Sequence, residues 1–303
     1  MPHEKKRLSL QQHLLTMKKA ILFAAITLLA VGCKKPMTYG RLDVEIDYSI
    51  NQQALITDSL CFVNEAENHF LINEIQWFVS RIELHSVNGD WVEYAQDAHY
   101  IDTDIPESQH LHWNSIPTGQ YDKFRFTFGL NEDDNRTGRF VNPPESNMFW
   151  PNPLGGGYHY MKLNGKWCAD NGELAPLNVH LGIGQNADHS SFYQNYFIVE
   201  QPVALTIAEN QSQVRLTMVI DNWFRNPNLY DFDFWGGSIM QNQAAQQALK
   251  ENGGDVFQIQ VIRHEFTHIG IRHTPFAFGI LPTAANAVFR YAIRIEDTAL
   301  FSQ

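Results

Sequence analysis

Cysteine is scarce in this chain of 303 residues, with one each at Cys33, Cys61 and Cys168. Once Cys33 is set aside for the reason given below, at most one internal disulfide remains, between Cys61 and Cys168; the alternative is two buried free thiols. Positive charge is also in short supply: 22 Lys and Arg face 33 Asp and Glu, a formal net charge of -11. The first 32 residues carry five of those cations and a single acid, so losing them makes the balance more negative still. Such a surface repels phosphate backbones and argues against nucleic acid as a partner. No C-x-x-C-H is present, so the chain attaches no c-type haem. Internal repeats and low-complexity blocks are missing too. The N-terminal apolar run, residues 20–32, has thirteen members, short of the roughly 20 that a membrane-spanning helix needs.

What is present is ample core material, 44% hydrophobic and 13% aromatic residues, which excludes disorder over most of the length. Met17, Lys18 and Lys19 followed by "AILFAAITLLAVG" and Cys33 form a basic start, an apolar run and a cysteine. This pattern resembles a lipoprotein signal, with cleavage after Gly32 leaving the Cys33 thiol for lipidation; an ordinary signal peptide is the alternative. Met17 is the expected start, residues 1–32 the signal region and residues 33–41 a lipidated tether. Because "CKKP" lacks an acidic residue, the anchored protein is expected at the outer membrane, facing the periplasm.

From Leu42 onward apolar and polar residues alternate. Leu42, Val44 and Ile46 interleave with Asp43, Glu45 and Asp47, the period of a half-buried strand. Strand patterns recur at "SLCFVN", "HFLINEIQWFVSRIELHS", "WVEYA", "KFRFTFGL", "YHYMKLNGKW", "LNVHLGI", "YFIVEQPVAL" and "QVRLTMVID", separated by turn signals such as Asn88-Gly89. Helical spacing is confined to "SIMQNQAAQQALKENGG". The expectation is an all-β protein, an antiparallel β-sandwich over residues 42–257, with one or two short helices near its C-terminal part. Residues 258–303 form a tail that adds a strand or stays apart.

That tail contains His264-Glu265-Phe266-Thr267-His268, the H-E-x-x-H of zinc hydrolases. Its flanks alternate at period 2, and Gly270 falls one position too early for the extended zinc motif, leaving Glu296 or His273 as conscripted third ligands. Zinc hydrolysis is therefore the lesser reading, and binding without catalytic turnover the leading one.

Strand parity puts His180 and Asn178 on the polar face of "LNVHLGI", and His159 opposite Tyr158 and Tyr160. Imidazoles on neighbouring strands can hold a borderline metal such as copper; a hydrogen-bonded surface histidine is the structural alternative. His110 and His112, spaced i and i+2, are expected in a loop. Trp150 precedes a Pro- and Gly-rich turn, where it packs or, beside a redox metal, is open to oxidation.

In order, "INEIQWFVSRIELHSVNGDWV", "IPTGQYDKFRFTFGLNEDDNRTG", "NMFWPNPLGGGYHYMKLNGKW", "LNVHLG" and "MQNQAAQQALKENGGDVF" resemble the MbnP-like family of secreted copper-binding proteins, some associated with methanobactin loci. The resemblance implies a β-rich envelope protein that binds copper through histidines. It also implies, in some members, a tryptophan oxidised to kynurenine by a MauG-like di-haem cytochrome c peroxidase partner. By motif His180 matches the family's H-L-G histidine, with His159 and His85 as the candidates to complete the site, and Trp150 matches the first tryptophan of Y-W-x-W. Asp47 and Tyr48 stand where the first strand of copper-binding members tends to carry histidine, and "PNP" replaces the second tryptophan. A scaffold that has lost its metal is the rival reading.

Overall fold

The computed structural model describes residues 15–19, 36–94, 98–209 and 211–262. Cys33, the apolar run of residues 20–32 and the H-E-x-x-H tail lie outside the described residues.

Two sheets form the body. The smaller contains β1 (Tyr39–Ile50), β2 (Gln53–Ala54), β7 (His110–Pro117), β14 (Gln211–Val219) and β15 (Phe257–Ile262), with β1 between β14 and β7. The larger follows the order β10 (Leu174–Leu181), β9 (Met161–Cys168), β4 (His69–Ser86), β8 (Gly119–Phe128), β13 (Phe197–Ile207). Short strands β3 (Phe62–Val63), β5 (Trp91–Glu93) and β6 (Ala98–Asp102) add to β4. A detached hairpin pairs β11 (Gly184–Gln185) with β12 (Phe192–Tyr193). Among the described residues the sheet pairings are antiparallel but for β1 with β14, which run parallel. The all-β expectation therefore holds.

The sheets enclose an aromatic core. Trp77 on β4 lies 5.9 Å from Phe128 on β8 and 5.3 Å from Phe257 on β15, ring centre to ring centre. Its indole N–H crosses between sheets to the Tyr48 hydroxyl at 3.0 Å, which satisfies two buried polar groups at once. β4 is the central strand: β9 and then β8 pair along one edge, and β3, β6 and β5 along the other. Register shifts between Ile72 and Glu74 and between Ser80 and Glu83 break its inside–outside alternation, as bulges do.

β6 and β7 were not expected. "HLHWNSIP" is not a loop: Leu111 and Trp113 point into the core while His110 and His112 point out, and β7 pairs with β1. β15 carries the sandwich on to Ile262 by pairing with β14. The helix Gln243–Asn252 starts later than the sequence pattern, because the Asn242 side chain accepts from the Ala245 N–H and so sets its N-terminus.

Of the two alternatives for Cys61 and Cys168 the structure has free thiols and no disulfide, though Cys61 is exposed and Cys168 only half-buried. Phe70 of β4 pairs with Phe62 on one side and Trp167 on the other, so β4 separates the neighbouring cysteines. Two strand spacings amount to about 10 Å, beyond the roughly 7 Å that a disulfide can bridge.

Candidate metal centre

The centre is built where β10 meets β9 and the loop that precedes it. Met148, Phe149 and Trp150 run out, and Gly155, Gly156 and Gly157, all at positive φ, turn the chain back. Glycine alone takes three such residues in succession without a steric cost. The return is closed by the Trp150 N–H to the Gly157 carbonyl, 2.9 Å, and by a bridge between Phe149 and Tyr158. Next, the His159 N–H binds the Met148 carbonyl and the Tyr160 N–H binds the Leu181 carbonyl. The last contact fixes His159 beside the end of β10, which carries His180.

The two imidazoles are 5.0 Å apart, centre to centre, with planes at 83°. His159 Nδ1 lies 2.9 Å from the Met148 carbonyl, an acceptor, so this nitrogen carries the proton and Nε2 keeps its lone pair. His180 Nε2 lies 2.8 Å from Asn164 Oδ1, and Asn164 Nδ2 in turn donates to Glu74 Oε2 at 3.3 Å, which fixes the amide's orientation. His180 Nε2 is accordingly the donor and Nδ1 the free base. Both remaining nitrogens, His159 Nε2 and His180 Nδ1, are buried and have no hydrogen-bond partner among the described protein atoms.

An orphaned buried polar atom costs about 1–3 kcal/mol, and here two fall on adjacent rings. Burial pushes the His159 pKa down to about 3, and the Lys162 ammonium, with His180 whenever that ring is protonated, acts in the same direction. Burial, and then Lys162, pushes His180 down to about 4. Both rings are thus neutral at neutral pH, the form that binds metal. Each has its second nitrogen held by a carbonyl or amide oxygen, the usual outer support of a metal-binding histidine. With metal–nitrogen bonds of about 2.0 Å, rings at this separation are close enough to share one ion, and imidazole suits copper. The donor set fits.

Trp150 is fully buried, 4.7 Å from the His159 ring and nearly perpendicular to it, and its indole N–H is held by the Leu154 carbonyl at 3.0 Å. It lies flat on the backbone of Gly182: a Cβ there would come 2.5 Å from the indole. The buried side chains of Gln246 and Asn195 fix Gly182 in place through its N–H and carbonyl.

His85 is not part of this cluster. Gln76 of β4 pairs with Lys162, and Lys162 with His180, so the site sits level with Gln76. His85 is nine residues further along β4, on the order of 30 Å of strand. There its Nδ1 meets Asp122 at 2.7 Å and its ring packs on Trp91. Asp47 and Tyr48 are also elsewhere: Asp47 pairs with Arg215, and Tyr48 is occupied by Trp77. Among the described residues no group of three His, Cys, Asp or Glu is placed to hold a metal ion. A cleft of about 670 Å³ opens beside Asp47, Arg215 and Arg225, and no histidine lines it. Asn164 was missed at the sequence level, although Lys162 and Asn164 share the parity of outward residues in "MKLNGKW".

Fold and site together define a β-sandwich with a paired-imidazole centre at one edge of its larger sheet. The MbnP family model matches residues 39–241, and the chain belongs to that family. Among solved structures, MbnP from Methylosinus trichosporium aligns with a TM-score of 0.51 and 12% identity, over 74% of this chain and 99% of that one, a likeness of fold. No curated protein matches the sequence.

Proposed function

We propose that this protein binds copper in the cell envelope through His159 Nε2 and His180 Nδ1, as a binding protein without catalytic turnover. The carrying observation is the pair of buried, neutral, unpartnered ring nitrogens on rings 5.0 Å apart. Family membership supports the choice of copper over zinc, as does a donor set of two imidazoles that no carboxylate among the described residues completes to a tetrahedral zinc shell. The protein reaches the envelope through the lipoprotein-like signal ending at Cys33. Within the same proposal Trp150, against the His159 ring, is the tryptophan that a MauG-like di-haem peroxidase oxidises. Its burial means that such a partner would withdraw electrons without touching the ring.

The test is metal analysis of the full chain after equilibration with copper, beside His159→Ala and His180→Ala variants. Near-stoichiometric copper in the unaltered protein, lost in each variant, is the expected result. Equal copper in all three would refute the site, and zinc retained by all three would return attention to His264, Glu265 and His268.

A further inference from the structure

The cleft of about 670 Å³ lies over the outer face of the smaller sheet. Thr217 of β14 pairs with Asp47 of β1 on one side and Gln258 of β15 on the other, and Arg215 pairs likewise with Glu45 and Gln260. Cross-strand neighbours share a face, and the intervening Ile46, Leu216 and Met218 turn into the core. Above this floor stands the β1–β2 hairpin, whose two loop residues, Asn51 and Gln52, have φ of 51° and 62°. Such a turn favours glycine at its second position, yet Gln52 keeps a long amide there. The Asn51 N–H donates to Asp221 Oδ2 at 2.7 Å, so the hairpin is held against a second lining segment. The lining side chains of Ser49, Gln52, Gln53, Thr217, Gln258 and Gln260 have no hydrogen-bond partner among the described residues. Each is an uncharged amide or hydroxyl that both donates and accepts.

We propose that this cleft binds a short neutral glycan, at a site separate from the copper centre and independent of it. A sugar hydroxyl also donates and accepts, so it can satisfy unpaired amides and hydroxyls whichever way they turn. The charged lining residues select no ion. Asp47 lies 3.6 Å from Arg215, which also meets Glu45, and Arg225 shares the lining with Asp221 and Glu65. An apolar ligand would find little to cover, because the lining rings of Phe70 and Phe224 are each 1% exposed. A peptide is disfavoured too: peptides that extend a sheet bond its free edge, whereas this cleft presents side chains on the face. Its volume falls within the roughly 300–1,000 Å³ of small-ligand sites, room for a short oligosaccharide.

The experiment titrates the full chain, in a detergent that contains no sugar, with maltotriose and chitotriose, followed by saturation-transfer NMR and calorimetry. The expected result is saturable binding of at least one trisaccharide, with a Kd of roughly 1 mM or tighter. Gln258→Ala with Gln260→Ala removes two exposed amides that hold nothing in the protein, and Gln52→Gly removes a third while suiting the turn. Neither change should lower the denaturation midpoint, and each should weaken binding roughly tenfold. His159→Ala should leave glycan binding as it was, which separates this site from the copper reading. Binding unchanged in the glutamine variants would place the sugar elsewhere and overturn the proposal, as would no binding of either trisaccharide by the unaltered protein. Trialanine bound in their place would overturn the glycan class.

Discussion

His159 and His180 at one edge of the larger sheet, and His85 and His112 elsewhere in the sandwich, use the same side chain to opposite ends. His85 Nδ1 is 2.7 Å from Asp122, and His112 Nδ1 is 2.7 Å from Asp43, which Arg41 and Gln211 also contact. These rings are finished, each tied to a carboxylate. In the other pair the anchoring oxygens belong to a carbonyl and an amide, and the second nitrogen of each ring is left buried and unpaired. The contrast teaches that a histidine's role here is set by what its two nitrogens meet. A carboxylate at hand takes one ring nitrogen in a short polar contact; a neutral anchor in a buried place leaves a base waiting for an acid.

The comparison can be broken first at the anchor. Asn164→Leu removes the oxygen that fixes the His180 tautomer, and copper affinity is expected to fall about 10–100-fold, the usual cost of losing an outer partner; competition titration against a chelator measures it. An affinity unchanged in this variant would mean that His180 needs no orientation.

Gly182→Ala comes next. Its new methyl would meet the Trp150 indole, and overpacking of this kind costs roughly 1–3 kcal/mol, read as a lower denaturation midpoint. Because Trp150 packs on His159, copper binding should weaken in parallel.

The buried pair should also make the protein sensitive to acid. His159 and His180 hold pKa values of about 3 and about 4, below the 6.5 of an exposed imidazole. Between 6.5 and about 4 the unfolded chain takes up protons that the native protein refuses, so stability is full above this window and falls as pH drops through it. Denaturant titrations at several pH values should show a smaller drop for His159→Asn with His180→Asn. An equal drop in the double variant would place the acid sensitivity elsewhere.

The smallest effect belongs to His85→Ala. It breaks one partly exposed contact with Asp122, worth about 0–1 kcal/mol, and should leave copper binding unchanged in metal analysis.

Much of this was written in local pattern. "HFLINEIQWFVSRIELHS" is β4 from end to end, and the parity of "LNVHLGI" puts His180 on the polar face where it is found. What local pattern lacks is partner choice. β4 is 18 residues long and is served by different neighbours along its length, so nothing in its own residues says that β9 and His180 lie level with Gln76 while His85 lies far off. The cysteines failed for the same reason: their separation depends on β4 running between their neighbours. β7 was legible in principle, since Leu111 and Trp113 alternate with His110 and His112, but the run is short and its partner β1 lies some 70 residues earlier. His159 was half legible: parity placed it opposite two tyrosines, yet only the turn at Gly155, Gly156 and Gly157 aims it at His180.

The central claim is that one ion sits between His159 Nε2 and His180 Nδ1. X-ray absorption at the copper edge of the loaded protein tests it most directly. The account predicts a first shell dominated by two imidazole nitrogens, with no sulfur, and its loss in the His159→Asn, His180→Asn double variant. A sulfur in the shell, or an unchanged spectrum in the double variant, would contradict it.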